Sequence, residues 1–206
     1  MQIHLSNPTP NFEKLGIEHS ALDALMAAAR DGFETAGREG LASVMFTDVV
    51  DSSALADLVG DRLWTLKVNA HLDMVTDTVT RHGGTLVKSL GDGTMSTFPT
   101  ARAALDAALS LQQSCLSDST EPALQLRVGI HTGEVIENKG DFFGTVVNKA
   151  ARIAASAAPD EIRLSDATRI LLGRSVCYAF ADAVDVPLKG LSGMHKTFRL
   201  ERSSES

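Results

Sequence analysis

Apolar positions along the chain change period several times, and each change marks an element. Leu22, Leu25, Met26, Ala29 and Phe33 recur at helical spacing after Ser20-Ala21-Leu22-Asp23, which has the form of a capping box. A helix is predicted there to about Thr35, ended by Gly37-Arg38-Glu39-Gly40. The residues before it carry Pro8 and Pro10 with no period and read as a loose tail. Leu41 to Phe46 is a continuous apolar run, the pattern of a buried strand. Asp51-Ser52-Ser53 offers N-caps to a long helical region. In that region Leu55, Leu58, Val59, Leu63, Leu66, Ala70, Met74 and Val79 form one apolar face, Gly60 divides it and His82-Gly83-Gly84 closes it.

Thr85 to Leu90 and Thr94 to Phe98 are short strand-like runs around Gly91-Asp92-Gly93, a hairpin signal. Thr100 caps a helix to about Leu116, with Ala104, Leu105 and Ala108 facing inward. Strands follow at Leu124 to Ile130 and Glu134 to Glu137, separated by a turn at Thr132-Gly133. Val147 to Ala157 is predicted helical, Glu161 to Leu164 a strand, Asp166 to Leu172 a short helix, and Tyr178 to Ala181 and Thr197 to Leu200 late strands. From residue 41 the order is β-α-β-β-α-β followed by more α/β chain. This predicts an α+β domain: a ferredoxin-like βαββαβ core with helices on one face and a C-terminal α/β extension. The predicted division is residues 1–40 as an N-terminal tail and helix, a possible transducer or dimer contact, and 41–206 as the main domain.

A chain of 206 residues can bury a sizeable core without disulfide or metal. The formal net charge of −7 argues against a nucleic-acid or anionic-membrane surface, so a polyanionic ligand would need local cations. No apolar run reaches the ~18 residues of a membrane span. Met1-Gln2-Ile3-His4 does not open a signal peptide, and Cys115 and Cys177 lie far apart, so a cytoplasmic protein with reduced thiols is expected.

Two acids stand where acids are unexpected. Asp48 ends the run Val44-Met45-Phe46-Thr47, and Asp92 lies at the tip of Lys88-Ser89-Leu90-Gly91-Asp92-Gly93. On neighbouring strand ends the two carboxylates would repel unless a cation lay between them. Mg²⁺ or Mn²⁺ suits such oxygen ligands. A cap at Asp48 and a plain turn at Asp92 account for the same residues singly.

These stretches resemble the motifs of class III nucleotidyl cyclases. Phe46-Thr47-Asp48-Val49-Val50-Asp51-Ser52-Ser53 is similar to their first metal motif, and Lys88 to Gly93 to their second. Leu126-Arg127-Val128-Gly129-Ile130-His131-Thr132-Gly133 resembles the following strand, Asp141 to Arg152 the substrate and transition-state motif, and Leu188-Lys189-Gly190 a late phosphate element. The match runs over about residues 41 to 200, with the motifs in order. The resemblance implies an adenylyl cyclase that makes cyclic AMP and pyrophosphate from ATP. Two divalent cations, Mg²⁺ or Mn²⁺, would be held by Asp48, Asp92 and the Val49 carbonyl. Asn148 and Arg152 match the residues that orient the ribose and stabilise the transition state. Lys88 and Asp141 match the base-selecting pair, in the ATP-type combination. Arg127 and Lys189 match phosphate binders, and His131 reads as structural.

The family's sites lie between two catalytic domains, so a head-to-tail homodimer with shared sites is implied, with no nucleic-acid partner and no membrane span. The alternatives are a cyclase for GTP or a pyrimidine nucleotide, which Lys88 and Asp141 disfavour, and a catalytically silent nucleotide-binding or regulatory domain of the same fold. No Walker-A pattern is present.

Overall fold

The computed structural model describes residues 38–138, 141–173 and 178–201. The tail and helix expected before residue 37, and Cys177, lie outside the described residues.

The strands are β1 (Arg38–Val49), β2 (Thr85–Leu90), β3 (Gly93–Phe98), β4 (Leu126–Asn138), β5 (Asp141–Phe143), β6 (Ile162–Ser165), β7 (Val184–Pro187) and β8 (Met194–Arg199). The helices are α1 (Ser52–Val59), α2 (Asp61–Arg81), α3 (Ala101–Ser117), α4 (Thr145–Ala155) and α5 (Asp166–Leu172). They build one sheet in the order β2-β3-β1-β4-β6-β8-β7, with β5 folded back on the end of β4. The first four strands each run antiparallel to their neighbours and form two interlocked split βαβ units, the ferredoxin-like arrangement that the element order predicts. Beyond them β4 and β6 run parallel, joined through α4, and β8 and β7 complete the extension.

β1 is apolar at consecutive positions because it is covered on both faces. Met45 and Val49 join Val128, Ile130, Val75, Val79, Leu105 and Leu111 in the cluster under α2 and α3. Val44 and Phe46 point the other way, into a cluster with Met95, Val135, Val147, Ala150 and Ala154. Helices on one face therefore describes α2, α3 and α5, whose Leu172 joins the same cluster. α4 lies on the opposite face, where it covers β1 and β4.

Other expectations are met or corrected locally. The long helical region divides at Gly60, and Thr100 Oγ1 accepts from the Ala103 amide (3.1 Å) at the start of α3. Asp51 does occupy the N-cap of α1, but in a left-handed conformation (φ 53°) and with no side-chain cap bond. The turn expected at Thr132-Gly133 does not form, and β4 runs straight through it. Thr132 Oγ1 is satisfied inside the protein by Ser43 Oγ (2.8 Å) and Thr168 Oγ1 (3.1 Å), so a polar pair that reads as a turn is buried in a strand. Tyr178 to Ala181 makes a single bridge, Phe180 with Leu200, instead of a strand. β7 was not foreseen; its Pro187 is tolerated because the strand is at the sheet edge. The apolar face expected along α1 and α2 is met only in part: Val79 is buried and Leu55 and Met74 pack on the core, but Leu58, Leu63 and Leu66 are 78%, 58% and 60% exposed. The buried face of α2 is Lys67, His71, Val75, Thr78 and Val79. Among the described residues no helix is long and apolar enough to cross a membrane.

α4 lies against β4 with no room for a side chain between them. A Cβ on Gly129 would overlap the backbone nitrogen of Ala154 and come within 2.7 Å of the Ala150 carbonyl oxygen. Gly129→Ala is therefore expected to cost about 3 kcal/mol or to prevent folding, because backbone must move. Gly133→Ala, which meets the mobile Cγ2 of Val146 at 2.8 Å, is expected to cost less. Urea denaturation of the two variants beside the wild type checks the order.

Candidate active site

The site begins where β1 ends. Register sets Asp48 opposite Arg127 of β4 and Thr47 opposite Thr94 of β3. A 2.6 Å hydroxyl–hydroxyl bond between Thr47 and Thr94 ties the two strands one residue before Asp48. On the other side of that tie, β2 and β3 are joined by the two-residue turn Gly91-Asp92, where Gly91 supplies the positive φ of 62°. Asp92 is thereby turned toward the loop after β1. Its Oδ2 accepts from the Val49 amide (3.1 Å), and the Asp92 amide and the Ser52 hydroxyl lie near enough to favour the charged carboxylate.

Both carboxylates are buried, at 6% exposure for Asp48 and 7% for Asp92. Burial, and then the negative charge of Asp92, push Asp48 up to about 6, against the lowering effect of Arg127. Burial also raises Asp92, opposed by the nearby Asp92 and Val49 amides and the Ser52 hydroxyl. Arg127 Nη1 lies 3.7 Å from Asp48 Oδ2, close enough to offset part of the charge. Two buried, mutually repelling carboxylates with one guanidinium nearby are short of positive charge, and a divalent cation fits that deficit. Among the described residues no three His, Cys, Asp or Glu side chains converge on a metal position. A cation here would therefore rest on Asp48, Asp92 and backbone or ligand oxygens. Such sparse protein ligation is how Mg²⁺ is usually held with substrate phosphates.

The remaining predicted residues lie on other elements. Lys88 is on β2, opposite Met95 and just past an irregularity in the pairing. Asp141 opens β5 and pairs with Asn138, eleven residues along β4 from Arg127. Asn148 and Arg152 are both half-buried on α4, one turn apart. Lys189 is exposed at the centre of a turn closed by the Leu191 amide and the Leu188 carbonyl (3.0 Å). The structure thus brings Asp48, Val49, Asp92 and Arg127 into one cluster, and distributes the expected base- and ribose-contacting residues over β2, β5 and α4. His131 is buried, its Nδ1 is 2.6 Å from Ser165 Oγ, and burial holds its pKa down at about 4, in keeping with a structural residue. Ser52 reads in sequence only as a helix cap; that its hydroxyl also favours the charged form of Asp92 has no sequence signal, since a capping serine and one beside a carboxylate look alike.

The sign of the Asp48 shift gives a pH dependence. A carboxyl raised in the folded state binds its proton more tightly there than in the unfolded chain, so stability falls as pH rises from about 4 to about 6. The shift corresponds to about 3 kcal/mol at most. Without divalent ions, Asp48→Asn is expected to match or exceed wild-type stability, with a difference that grows from pH 4 to pH 6 and is flat above. Mn²⁺ at pH 7.5 should raise the melting temperature of the wild type and not of the variant. Thermal denaturation across pH, with and without Mn²⁺, checks both.

Comparison with known proteins bears on the fold and the family. The family model for the adenylate and guanylate cyclase catalytic domain matches residues 35–202. An adenylate cyclase of Streptomyces coelicolor is 35% identical over 125 residues, covering 61% of this chain and 32% of that protein. The solved adenylate/guanylate cyclase/hydrolase from Silicibacter pomeroyi superposes with a TM-score of 0.68 at 26% identity, covering 81% of this chain and 99% of that one. A guanylate cyclase domain from Catenaria anguillulae, in complex with GTP, shares the fold with a TM-score of 0.69 at 19% identity, covering 80% and 98%. The chain spans about a third of the length of the curated relatives it matches. Its motifs, its sheet order and this match over most of its length place the chain in the adenylate and guanylate cyclase catalytic-domain family, the class III nucleotidyl cyclases.

Proposed function

We propose that this chain is an adenylyl cyclase domain, a phosphorus–oxygen lyase that converts ATP to 3′,5′-cyclic AMP and pyrophosphate at sites shared by a head-to-tail homodimer. The observation that carries the reading is the buried pair Asp48 and Asp92 with Arg127 alongside, because it concentrates cation-binding and phosphate-binding groups at one strand end. Two divalent cations, Mg²⁺ or Mn²⁺, bound by Asp48, Asp92 and the Val49 carbonyl would acidify the ribose 3′-hydroxyl and offset charge on the departing pyrophosphate.

The chain's own residues do the positioning. Arg127 and Lys189 donate to phosphate oxygens. Asn148 orients the ribose, and the planar fork of Arg152 meets the charge that builds on the α-phosphate. The 3′-oxygen forms its bond to the α-phosphorus in line with the bond to pyrophosphate that breaks. Lys88 donates to adenine N1, and Asp141 accepts from the N6 amino group. Guanine presents the reverse pattern at these positions, which favours ATP. The cation-binding set lies on β1 and the β2–β3 turn, and the ribose- and transition-state set on α4, so one subunit can serve each half of a site. The boundary expected at residue 40 moves to Arg38, where β1 opens the sheet; the residues before it are assigned to a tail and helix preceding the catalytic domain, and the domain to the cytoplasm.

Purified protein incubated with ATP, GTP, CTP or UTP and Mg²⁺ or Mn²⁺ is expected to release cyclic AMP from ATP, resolved by chromatography. Asp92→Ala should abolish the product. Cyclic GMP or a cyclic pyrimidine nucleotide as the main product would transfer the reading to another cyclase. No cyclic product from a proven dimer would favour a silent binding domain.

Asp48→Ala and Arg152→Ala are each expected to lower turnover about 10²–10³-fold or more. Mixed together they should recover activity, since each heterodimer keeps one intact site. Heterodimers seen by native mass spectrometry without recovery would defeat the shared-site model. Lys88→Glu combined with Asp141→Cys is expected to reduce the ATP:GTP ratio of kcat/KM, and an unchanged ratio would remove these residues from base selection.

A further inference from the structure

The face of the sheet covered by α2 and α3 holds a second feature that the cyclase reading does not use. Between these helices and Leu124 is a cavity of about 170 Å³. Met74, Cys115 and Leu124 give it apolar walls, and Lys67, His71, Ser114 and Asp118 line the rest. It is on the opposite side of β1 from Phe46 and α4.

The charged groups in the wall are already satisfied. Lys67 Nζ donates to Asp118 Oδ2 (2.9 Å), the Thr120 carbonyl (2.6 Å) and Thr120 Oγ1 (2.9 Å), which uses all three of its hydrogens. Asp118 Oδ1 accepts from the Thr120 amide (2.9 Å) and hydroxyl (2.7 Å). The pair presents no net charge, so the cavity does not call for an ion. His71 is the exception to this satisfaction. It is 4% exposed, and among the described residues neither ring nitrogen has a hydrogen-bond partner. Burial and the neighbouring Lys67 hold its pKa down at about 4, so the ring is neutral, with one donor and one acceptor unspent. An orphaned buried polar group costs stability that a ligand can return. Cys115 is no nucleophile here, because burial pushes its thiol up to about 11, so occupancy is reversible.

A cavity near 150 Å³ lined by apolar side chains accepts a benzene ring. We infer that the cavity between α2, α3 and Leu124 is a binding site for a small neutral single-ring molecule with a hydroxyl or ring N–H, the phenol class. The ring packs on Met74, Cys115 and Leu124. The polar group bonds His71, whose imidazole turns about its Cβ–Cγ bond to present a nitrogen to the lumen.

The test uses phenol as the probe and toluene as its apolar match, titrated into the full chain by calorimetry and by protein-observed NMR, with no nucleotide present. Phenol is expected to saturate one site with a dissociation constant of about 1 mM or tighter and to bind at least about tenfold better than toluene. His71→Leu should abolish that preference while retaining toluene binding, and Cys115→Phe should exclude both ligands by filling the lumen. Near-UV circular dichroism confirms that each variant is folded. Failure of phenol to saturate, a preference that survives in His71→Leu, or phenol binding that survives in folded Cys115→Phe each overturns the proposal. These readouts do not involve cyclase turnover, so they stand or fall independently of the proposed reaction.

Discussion

Burying Asp48 beside Asp92 is the constraint on which the rest of the structure turns. A carboxylate placed in a sheet interior beside a second one is unfavourable, so the surrounding elements must hold it there. β1 does this by pairing along its whole length with β4 and over five residues with β3. The Thr47–Thr94 bond closes the gap between strands immediately before the acid, and the cross-strand position of Arg127 supplies the nearest positive charge. The loop that follows is anchored by the Val50 amide on the Gln125 carbonyl (2.9 Å), while the Val49 amide is left for Asp92. Removing either anchor would let water reach the pair and relieve the repulsion that favours a cation.

The same sheet must be thick enough on both sides to keep the acids dry. α2 and α3 close one face and α4 the other, and the close approach of α4 at Gly129 is what sets Asn148 and Arg152 on the outer side of that helix. Buried hydroxyls knit the strands together beyond the site. Ser43, Thr132, Thr168 and Ser165 form a continuous chain of contacts that ends on His131. Each member satisfies its neighbour, so a run of polar residues adds rigidity without leaving an orphaned group. His71 on α2 departs from that economy. Ser96 Oγ and Gln112 Nε2 are likewise buried without a partner among the described residues, but His71 is the one of these groups that lines the cavity between α2 and α3.

Much of the architecture was legible from local pattern. Period and punctuation located the hairpin at Gly91-Asp92, the break at Gly60, the cap at Thr100 and the order β-α-β-β-α-β, because each depends on backbone chemistry within a few residues. Pattern failed where a distant partner reverses a residue's local meaning. Thr132-Gly133 reads as a turn until Ser43 and Thr168 are seen to satisfy the threonine. Leu58, Leu63 and Leu66 read as core until Lys67, His71 and Thr78 are found on the buried face, with Lys67 neutralised by Asp118.

The site divides in the same way. Residue types and their spacing singled out Asp48 and Asp92, and the motif resemblance supplied Val49, Lys88, Arg127, Asp141, Asn148, Arg152 and Lys189. Sequence alone determined which chemical groups the chain carries and the order in which its elements form, since both are properties of neighbouring residues. Only the tertiary structure decided that Asp48 faces Arg127, that Asp92 takes the Val49 amide, and that α4 takes the face opposite α2 and α3. Those outcomes depend on strand register and on the burial of charge, which bring together residues far apart in the chain.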